Sequence, residues 1–93
     1  WAGLHHHQDA LYALGMCYKN GIGTQQSDEY AFRMFIHAYN HPKALYETGL
    51  CCLEGKGVKQ SEKDAILYFT KAAEQGHIEA QNLLTLYNKE QTI

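Results

Sequence analysis

The 93-residue chain has little positive charge and no long apolar stretch. Eight lysine and arginine residues stand against ten acidic residues, and the formal net charge of −2 gives no basic surface for nucleic acid. Nucleic-acid platforms also interleave aromatic rings with basic residues, and Arg33 is the only arginine of the chain. No apolar run is long enough to cross a bilayer and no signal peptide is visible, so we expect no direct membrane insertion.

Cysteine is scarce and odd in number. Three cysteines, Cys17, Cys51 and Cys52, argue against a complete set of disulfides within the chain. Adjacent Cys51 and Cys52 would point about 100° apart on a helix, so they form no shared metal face. We expect the cysteines to be small buried hydrophobic residues, and this usage favours a reducing compartment such as the cytoplasm.

Motifs for catalysis and cofactor binding are also missing. Cys17 has no orienting third group and no oxyanion-type motif after it. The Gly-x-Gly segments at residues 21–23 and 55–57 lack the Lys-Ser/Thr of a phosphate loop. Three consecutive histidines, His5-His6-His7, diverge in direction on a helix and make a poor metal site. We therefore expect no enzyme activity, no cofactor and no bound metal.

What the chain does contain is an internal repeat. An offset of 34 residues brings 12 identical residues into register over the 29 positions from 10 to 38. A period in this range indicates stacked supersecondary units, because a unit of about 35 residues cannot bury an apolar face alone. The chain opens on Trp1 rather than Met, so we expect it to be part of a longer protein.

The spacing of apolar residues predicts two helices in each unit. First helices are expected over residues 8–20, 43–53 and 78–89, with Pro42 opening the middle one. Second helices are expected to begin at the N-cap residues Ser27 and Ser61 and to end near Tyr39 and before Gly76. His37, His41 and His77 fall near the ends of the second helices, and we expect them to be ordinary surface histidines.

Small residues recur at equivalent positions of the two units. Gly15 and Gly49 lie inside first helices, where Gly costs about 1 kcal/mol relative to Ala, so their recurrence predicts a close approach of helices. The recurring alanines of the second helices are expected to face this approach, and Phe35 and Phe69 to fill the space between units. These alanines are Ala31, Ala38, Ala65 and Ala72.

The pattern A-L-Y-x-x-G-x-C-x-x-x-G-x-G, followed by A-x-x-x-F-x-x-A, resembles the Sel1-like repeat. The related tetratricopeptide repeat is the nearest alternative, but it usually lacks the Gly-x-Gly loop. The resemblance implies an all-α fold: an α/α solenoid of helix-turn-helix repeats, with about two full repeats and a C-terminal helix. Residues 10–43 and 44–79 would form the repeats. Residues 1–9 would be the tail of a preceding helix or an N-terminal cap, and residues 80–93 the first helix of a partial third repeat or a C-terminal cap.

The chain departs from the family pattern at two kinds of position. Thr85 stands where the helix glycine is expected, so the last helix is expected to be a divergent cap. Some secreted relatives join a second-helix cysteine to the next first helix by a disulfide. The second helices of this chain contain no cysteine, so that disulfide is not carried over.

The resemblance implies a non-catalytic adaptor that binds a protein or peptide on the concave face built by the first helices. The alternatives are a structural spacer, with its ends buried against further repeats of a longer chain, and a small-molecule hydrolase or binder. Tyr12 and Tyr46 have an alternative role as packing residues of the repeat. The outward-facing residues of the first helices, here called the first-helix face, are predicted to be Tyr12, Met16, Lys19, Asn20, Tyr46, Leu50, Leu53, Glu54, Asn82 and Leu86.

Overall fold

The computed structural model describes the backbone of residues 2–91 and the side chains of residues 7–87. This part of the chain folds into five α-helices and no strand. The first helices are α1 (Ala2–Asn20), α3 (Pro42–Glu54) and α5 (Ile78–Gln91), and the second helices are α2 (Asp28–His37) and α4 (Glu62–Glu74). The predicted all-α arrangement of paired helices is confirmed.

The first helix is longer than the sequence predicts. It begins at Ala2 rather than near residue 8, so residues 2–9 continue α1 and do not end a separate helix. Helix α2 is shorter than predicted and ends at His37, before Tyr39. The limits of the units, 10–43, 44–79 and 80–93, remain a prediction.

Local signals set the other helix ends. Ser27 and Ser61 are extended, and their hydroxyls accept hydrogen bonds from the N–H groups of Tyr30 and Asp64. Pro42 occupies the first turn of α3, where its missing N–H leaves no bond unmade. Helix α3 ends at Glu54 and is capped by Gly55, whose φ of 71° lies in the left-handed region that favours glycine.

The helix glycines make room for an aromatic ring of the same unit. A Cβ on Gly49 would lie 2.5 Å from Cε1 of Phe69, and a Cβ on Gly15 would lie 2.5 Å from Cε1 of Phe35. The prediction that alanines face these glycines is therefore wrong. Phenylalanine fits better because its flat ring fills the groove that a missing Cβ leaves on the neighbouring helix.

The alanines instead carry the contact with the next unit. Ala31, Phe35 and Ala38 form one buried cluster with Ala44 and Cys51 of α3. A second cluster combines two residues of α3, three equivalent residues of α4 and one residue of α5: Leu45, Cys52, Ala65, Phe69, Ala72 and Ala80. Each second helix thus packs against the first helices on both sides of it, and this stacking lines up α1, α3 and α5.

Candidate protein-interaction face

The first-helix face contains two recesses that six of the ten predicted residues line. The first recess, about 250 Å³, lies where α1 and α3 end, and Lys19, Asn20, Leu50 and Glu54 are among its walls. The second, about 260 Å³, lies nearer the other ends of these helices and is lined by six residues: Tyr12, Lys43, Tyr46, Glu47, His77 and Glu79. The structure thus gathers Tyr12 and Tyr46 in one recess and the other four in its neighbour.

The remaining four predicted residues lie outside the recesses. Met16 and Leu53 are half-buried and pack against the two core clusters. Asn82 is exposed on α5, and Leu86 is 58 % exposed on the same helix. Met16 and Leu53 therefore contribute to packing between units, whereas Asn82 and Leu86 present surface.

Glu47 belongs to both recesses, although the repeat pattern does not point to it. Its carboxylate accepts a hydrogen bond of 2.7 Å from Lys19 Nζ, and only 13 % of its side chain is exposed. This hydrogen bond raises the pKa of Lys19 above its usual value of 10.5. The sequence held one weak signal for this contact. Lys19 and Glu47 carry opposite charges in consecutive units, and the repeat has no charge at their counterparts, Leu53 and Ala13.

Tyr12 and Tyr46 are held in place by rings on both sides. The ring of Tyr12 stacks on His41 with centroids 4.7 Å apart, and that of Tyr46 lies 4.7 Å from His77. Each tyrosine also meets the buried phenylalanine of its own unit. Burial raises the pKa of both phenols, and the Glu47 carboxylate adds to this effect. The tyrosines therefore support the repeat and line the recess at the same time.

The prediction that His41 and His77 are ordinary surface histidines is wrong. Both are half-buried, and each lies at the start of the next first helix. Nδ1 of His41 accepts from the N–H of Ala44, and Nδ1 of His77 accepts from that of Ala80. Nε2 of His41 lies 2.9 Å from an Asp9 carboxylate oxygen. Nδ1 of each ring thus serves as the acceptor that caps the following helix.

The described cysteines are free thiols. Cys51 and Cys52 are buried and Cys17 is half-buried. Burial, with the nearby Glu47 carboxylate, raises the pKa of the Cys51 thiol to about 11, so it stays protonated near neutral pH. A protonated buried thiol is a poor nucleophile and a poor metal ligand.

No group of three or more His, Cys, Asp and Glu side chains within residues 7–87 is placed to hold a metal ion. The predicted absence of a metal site at His5-His6-His7 falls partly outside the described side chains, which begin at His7. Among the described helices, none is both long enough and apolar enough to span a bilayer.

Comparison with protein families gives two consecutive matches to the Sel1 repeat, over residues 8–41 and 42–77. No curated protein matches the chain significantly. Proteins of the matched family generally mediate protein–protein interactions and generally act as non-catalytic scaffolds.

Solved structures that resemble the fold include the following three. A Sel1 repeat protein from Oxalobacter formigenes is 27% identical with a TM-score of 0.87, over 90% of this chain and 35% of that one. The protective antigen c5321 of uropathogenic Escherichia coli, which has the same repeat fold, is 33% identical with a TM-score of 0.79, over 83% of this chain and 17% of that one. Cysteine-rich protein B of Helicobacter pylori is 27% identical with a TM-score of 0.78, over 82% of this chain and 59% of that one.

The chain thus spans between about a sixth and three fifths of the length of these three proteins. The two family matches together cover residues 8–77, which is most of the sequence. The chain belongs to the Sel1 repeat family.

Proposed function

We propose that this chain is a non-catalytic adaptor that binds a polypeptide segment across the first-helix face. The observation that carries the proposal is the pair of neighbouring recesses, joined at Glu47, in the surface that α1 and α3 form with the starts of α2 and α5. Glu47 would be the central contact of the bound segment, flanked by Lys19 on one side and the two tyrosines on the other.

The size of the recesses favours polypeptide over a small molecule. Each recess measures about 250–260 Å³, which is below the usual range of about 300–1,000 Å³ for small-molecule pockets. Two such recesses in a row suit successive side chains of an extended segment. Tyrosine at their walls suits protein contacts because its ring is large and its hydroxyl is polar.

The charged residues that line the two recesses indicate what kind of segment could bind there. The first recess combines Lys19 and Lys56 with three carboxylates, from Asp28, Glu47 and Glu54. The second combines Lys43 with Glu47 and Glu79. Charges of both signs at fixed places select a partner by its charge pattern rather than by net charge. We expect a segment with basic side chains that reach the carboxylates of the two recesses.

The test uses two charge-matched double variants. Asn20→Arg/Glu54→Arg alters the first recess at exposed residues that end α1 and α3. Glu74→Arg/Gln75→Arg makes the same charge change at exposed residues that end α4. Arginine near a helix C-terminus is favourable, so both variants should fold. Circular dichroism and thermal unfolding check this.

Each immobilised chain is then offered a lysate of the source organism. Proteins retained by the parent and by the α4 variant, but lost from the recess variant, would support the proposal. A photo-crosslinking residue at position 20 should label the same proteins, and one at position 67 on α4 should not. Equal capture by all three chains, or labelling only from position 67, would overturn the assignment of the surface.

A further inference from the structure

A third recess, here called the loop recess, lies between the end of α1, the loop that follows it and the start of α2. Its volume is about 530 Å³, which falls within the usual range of about 300–1,000 Å³ for small-molecule pockets. Its lining residues are Tyr18, Thr24, Gln25, Gln26, Ser27 and Tyr30. The loop recess therefore has the size of a small-molecule site, unlike the two recesses of the first-helix face.

The loop recess is lined by uncharged hydrogen-bonding residues only. Every side chain in its wall ends in a hydroxyl or a carboxamide group. Such groups both donate and accept hydrogen bonds, whereas a carboxylate or a peptide carbonyl only accepts and an ammonium group only donates. The hydroxyl groups of a sugar also do both. The wall of the loop recess therefore matches a neutral ligand that is rich in hydroxyl groups.

Two of the lining residues hold the loop in its conformation. The Ser27 hydroxyl accepts from the N–H of Tyr30, and Nε2 of Gln26 donates to Asp28 Oδ1 at 2.8 Å. The amide oxygen of Gln26 makes no bond to the described side chains, and the same holds for the side chains of Thr24 and Gln25. A ligand thus meets a loop that is already fixed and polar groups that it can bind.

The two tyrosines give the loop recess an apolar wall. Tyr18 is half-buried and packs against a core cluster, which anchors its ring. The ring of Tyr30 stacks on it with centroids 5.3 Å apart and remains 50 % exposed. Aromatic faces carry partial negative charge and attract the slightly positive C–H groups of a ligand. The C–H side of a sugar ring is such a surface.

The second unit does not repeat this composition. The counterparts of the lining residues, 34 positions later, are Cys52, Val58, Lys59, Gln60, Ser61 and Asp64. Only the glutamine and the serine recur, and both serve the repeat, because Gln60 donates to the Leu53 carbonyl and Ser61 caps α4. The other four positions lose both rings and gain two charges. The stacking of the units therefore does not require the chemistry of the loop recess.

We propose that the loop recess binds a neutral saccharide, either as a short soluble sugar or as part of a polysaccharide. A sugar ring lies against Tyr18 and Tyr30, and its hydroxyl groups bond to Thr24, Gln25 and the amide oxygen of Gln26. The inference does not depend on polypeptide binding at the first-helix face, and the two ligands meet different residues except at Gln26.

The test titrates the isotope-labelled chain with neutral disaccharides and follows its backbone N–H signals by NMR. The probes are maltose, cellobiose, lactose and N,N′-diacetylchitobiose. At least one of them should shift the signals of residues 24–27 and leave those of residues 58–61 unchanged. The Kd should be the same at low and high salt, because no charged side chain lines the loop recess.

Two variants assign the binding to the loop recess. Tyr30→Ala should raise the Kd about tenfold through loss of the ring contact. Thr24→Val/Gln25→Met keeps the side-chain size, removes hydrogen-bonding groups and should also weaken binding. Tyr39→Ala is the matched control, since Tyr39 is an exposed tyrosine just beyond α2 that does not line the recess. Circular dichroism checks that each variant folds.

Retention of the chain on starch or chitin particles separates the two sources of the sugar. Retention that the shifting disaccharide reverses supports a polysaccharide ligand, and binding of the disaccharide without retention supports a soluble one. Silence of all four disaccharides would overturn the proposal, as would a Kd that Tyr30→Ala leaves unchanged. A proline-rich peptide that shifts the signals of residues 24–27 where no saccharide does would replace it with a peptide site.

Discussion

At the scale of single residues, the fold depends on two glycines that support no turn. Gly15 and Gly49 lie inside helices, and each is covered by a phenylalanine ring that is fully buried. A buried ring has no free space into which it can move, since protein interiors are closely packed. Glycine destabilises each helix relative to alanine, but the contact with the phenylalanine ring more than offsets this cost.

We expect Gly49→Ala to lower the free energy of unfolding by about 2 kcal/mol, the net of overpacking against Phe69 and the better helix propensity of alanine. Urea denaturation measures the change. Combining it with Phe69→Leu should give a penalty smaller than the sum of the two single penalties, since leucine leaves room for the new methyl group. A stabilising Gly49→Ala would contradict this account.

The buried thiol of Cys51 makes stability depend on pH in the alkaline range. Its pKa is raised from 9.0 to about 11 in the fold, so above pH 9 the unfolded chain loses this proton while the folded chain keeps it. The contribution is fully present below pH 9 and is lost as the pH rises through 11. We expect a loss of about 2–3 kcal/mol across this window.

The comparison of the parent with Cys51→Ala isolates this effect, because the tyrosines and lysines titrate in both chains. Unfolding free energies measured in urea between pH 8 and pH 11 should fall more steeply in the parent. Parallel curves would show that burial of this thiol does not govern the alkaline loss.

At the scale of helices, two kinds of cap alternate along the chain. The second helices begin at serines, Ser27 and Ser61, whose small hydroxyls cap only their own helix. The first helices α3 and α5 begin at histidines that cap through Nδ1 and lie against a tyrosine of the preceding first helix. A histidine cap thus fixes a helix start and its position relative to the previous unit.

We expect His77→Ala to lower the free energy of unfolding by about 1–2 kcal/mol, through loss of the cap and of the contact with Tyr46. His77→Asn keeps a capping acceptor without the ring and should recover about half of this loss. His37→Ala, at an exposed histidine, serves as the control and should change little. Full recovery with asparagine would mean that the tyrosine contact adds no stability.

At the scale of the whole molecule, the two junctions between first helices differ in chemistry. The junction of α1 and α3 contains the ion pair of Lys19 with Glu47. When the capping residues His41 and His77 are aligned, Glu47 corresponds to Leu83, and Lys19 corresponds to Leu53; both leucines are half-buried against the core. An ion pair requires one relative position of the two neighbouring units, whereas apolar leucine side chains tolerate small shifts of one unit against the other.

We expect Lys19→Met to lower the free energy of unfolding by about 1 kcal/mol, an effect that weakens in high salt. Because the pKa of Lys19 is raised in the fold, the contribution of the pair is present below about pH 10.5 and is lost as the pH rises through the folded-state value. Arg33→Met is the control, since its partner Glu29 lies 3.8 Å away and both side chains are exposed.

Lys19→Leu/Glu47→Leu should instead be close to neutral, because it places leucines where the other junction has Leu53 and Leu83. Urea denaturation of Lys19→Leu, of Glu47→Leu and of the double variant measures the coupling between the two residues. A double variant that loses as much stability as the two single variants together would show that the pair acts through contacts other than with each other.

The sequence by itself determined the helix pairs, their serine caps, the glycine loops and the family. These features depend on contacts within a few residues, such as the bond of Ser61 to Asp64, and they recur in both units. Repetition also identified the first-helix face in outline, because equivalent positions in stacked units face the same side.

The tertiary structure alone decided which side chains meet across units. Lys19 and Glu47 are 28 residues apart, and neither is repeated, so no periodic signal joined them. The phenylalanines rather than the alanines lie on the helix glycines, and the histidines cap one helix while touching another. Such contacts are set by the angle and register at which helices pack, which a local sequence pattern does not encode.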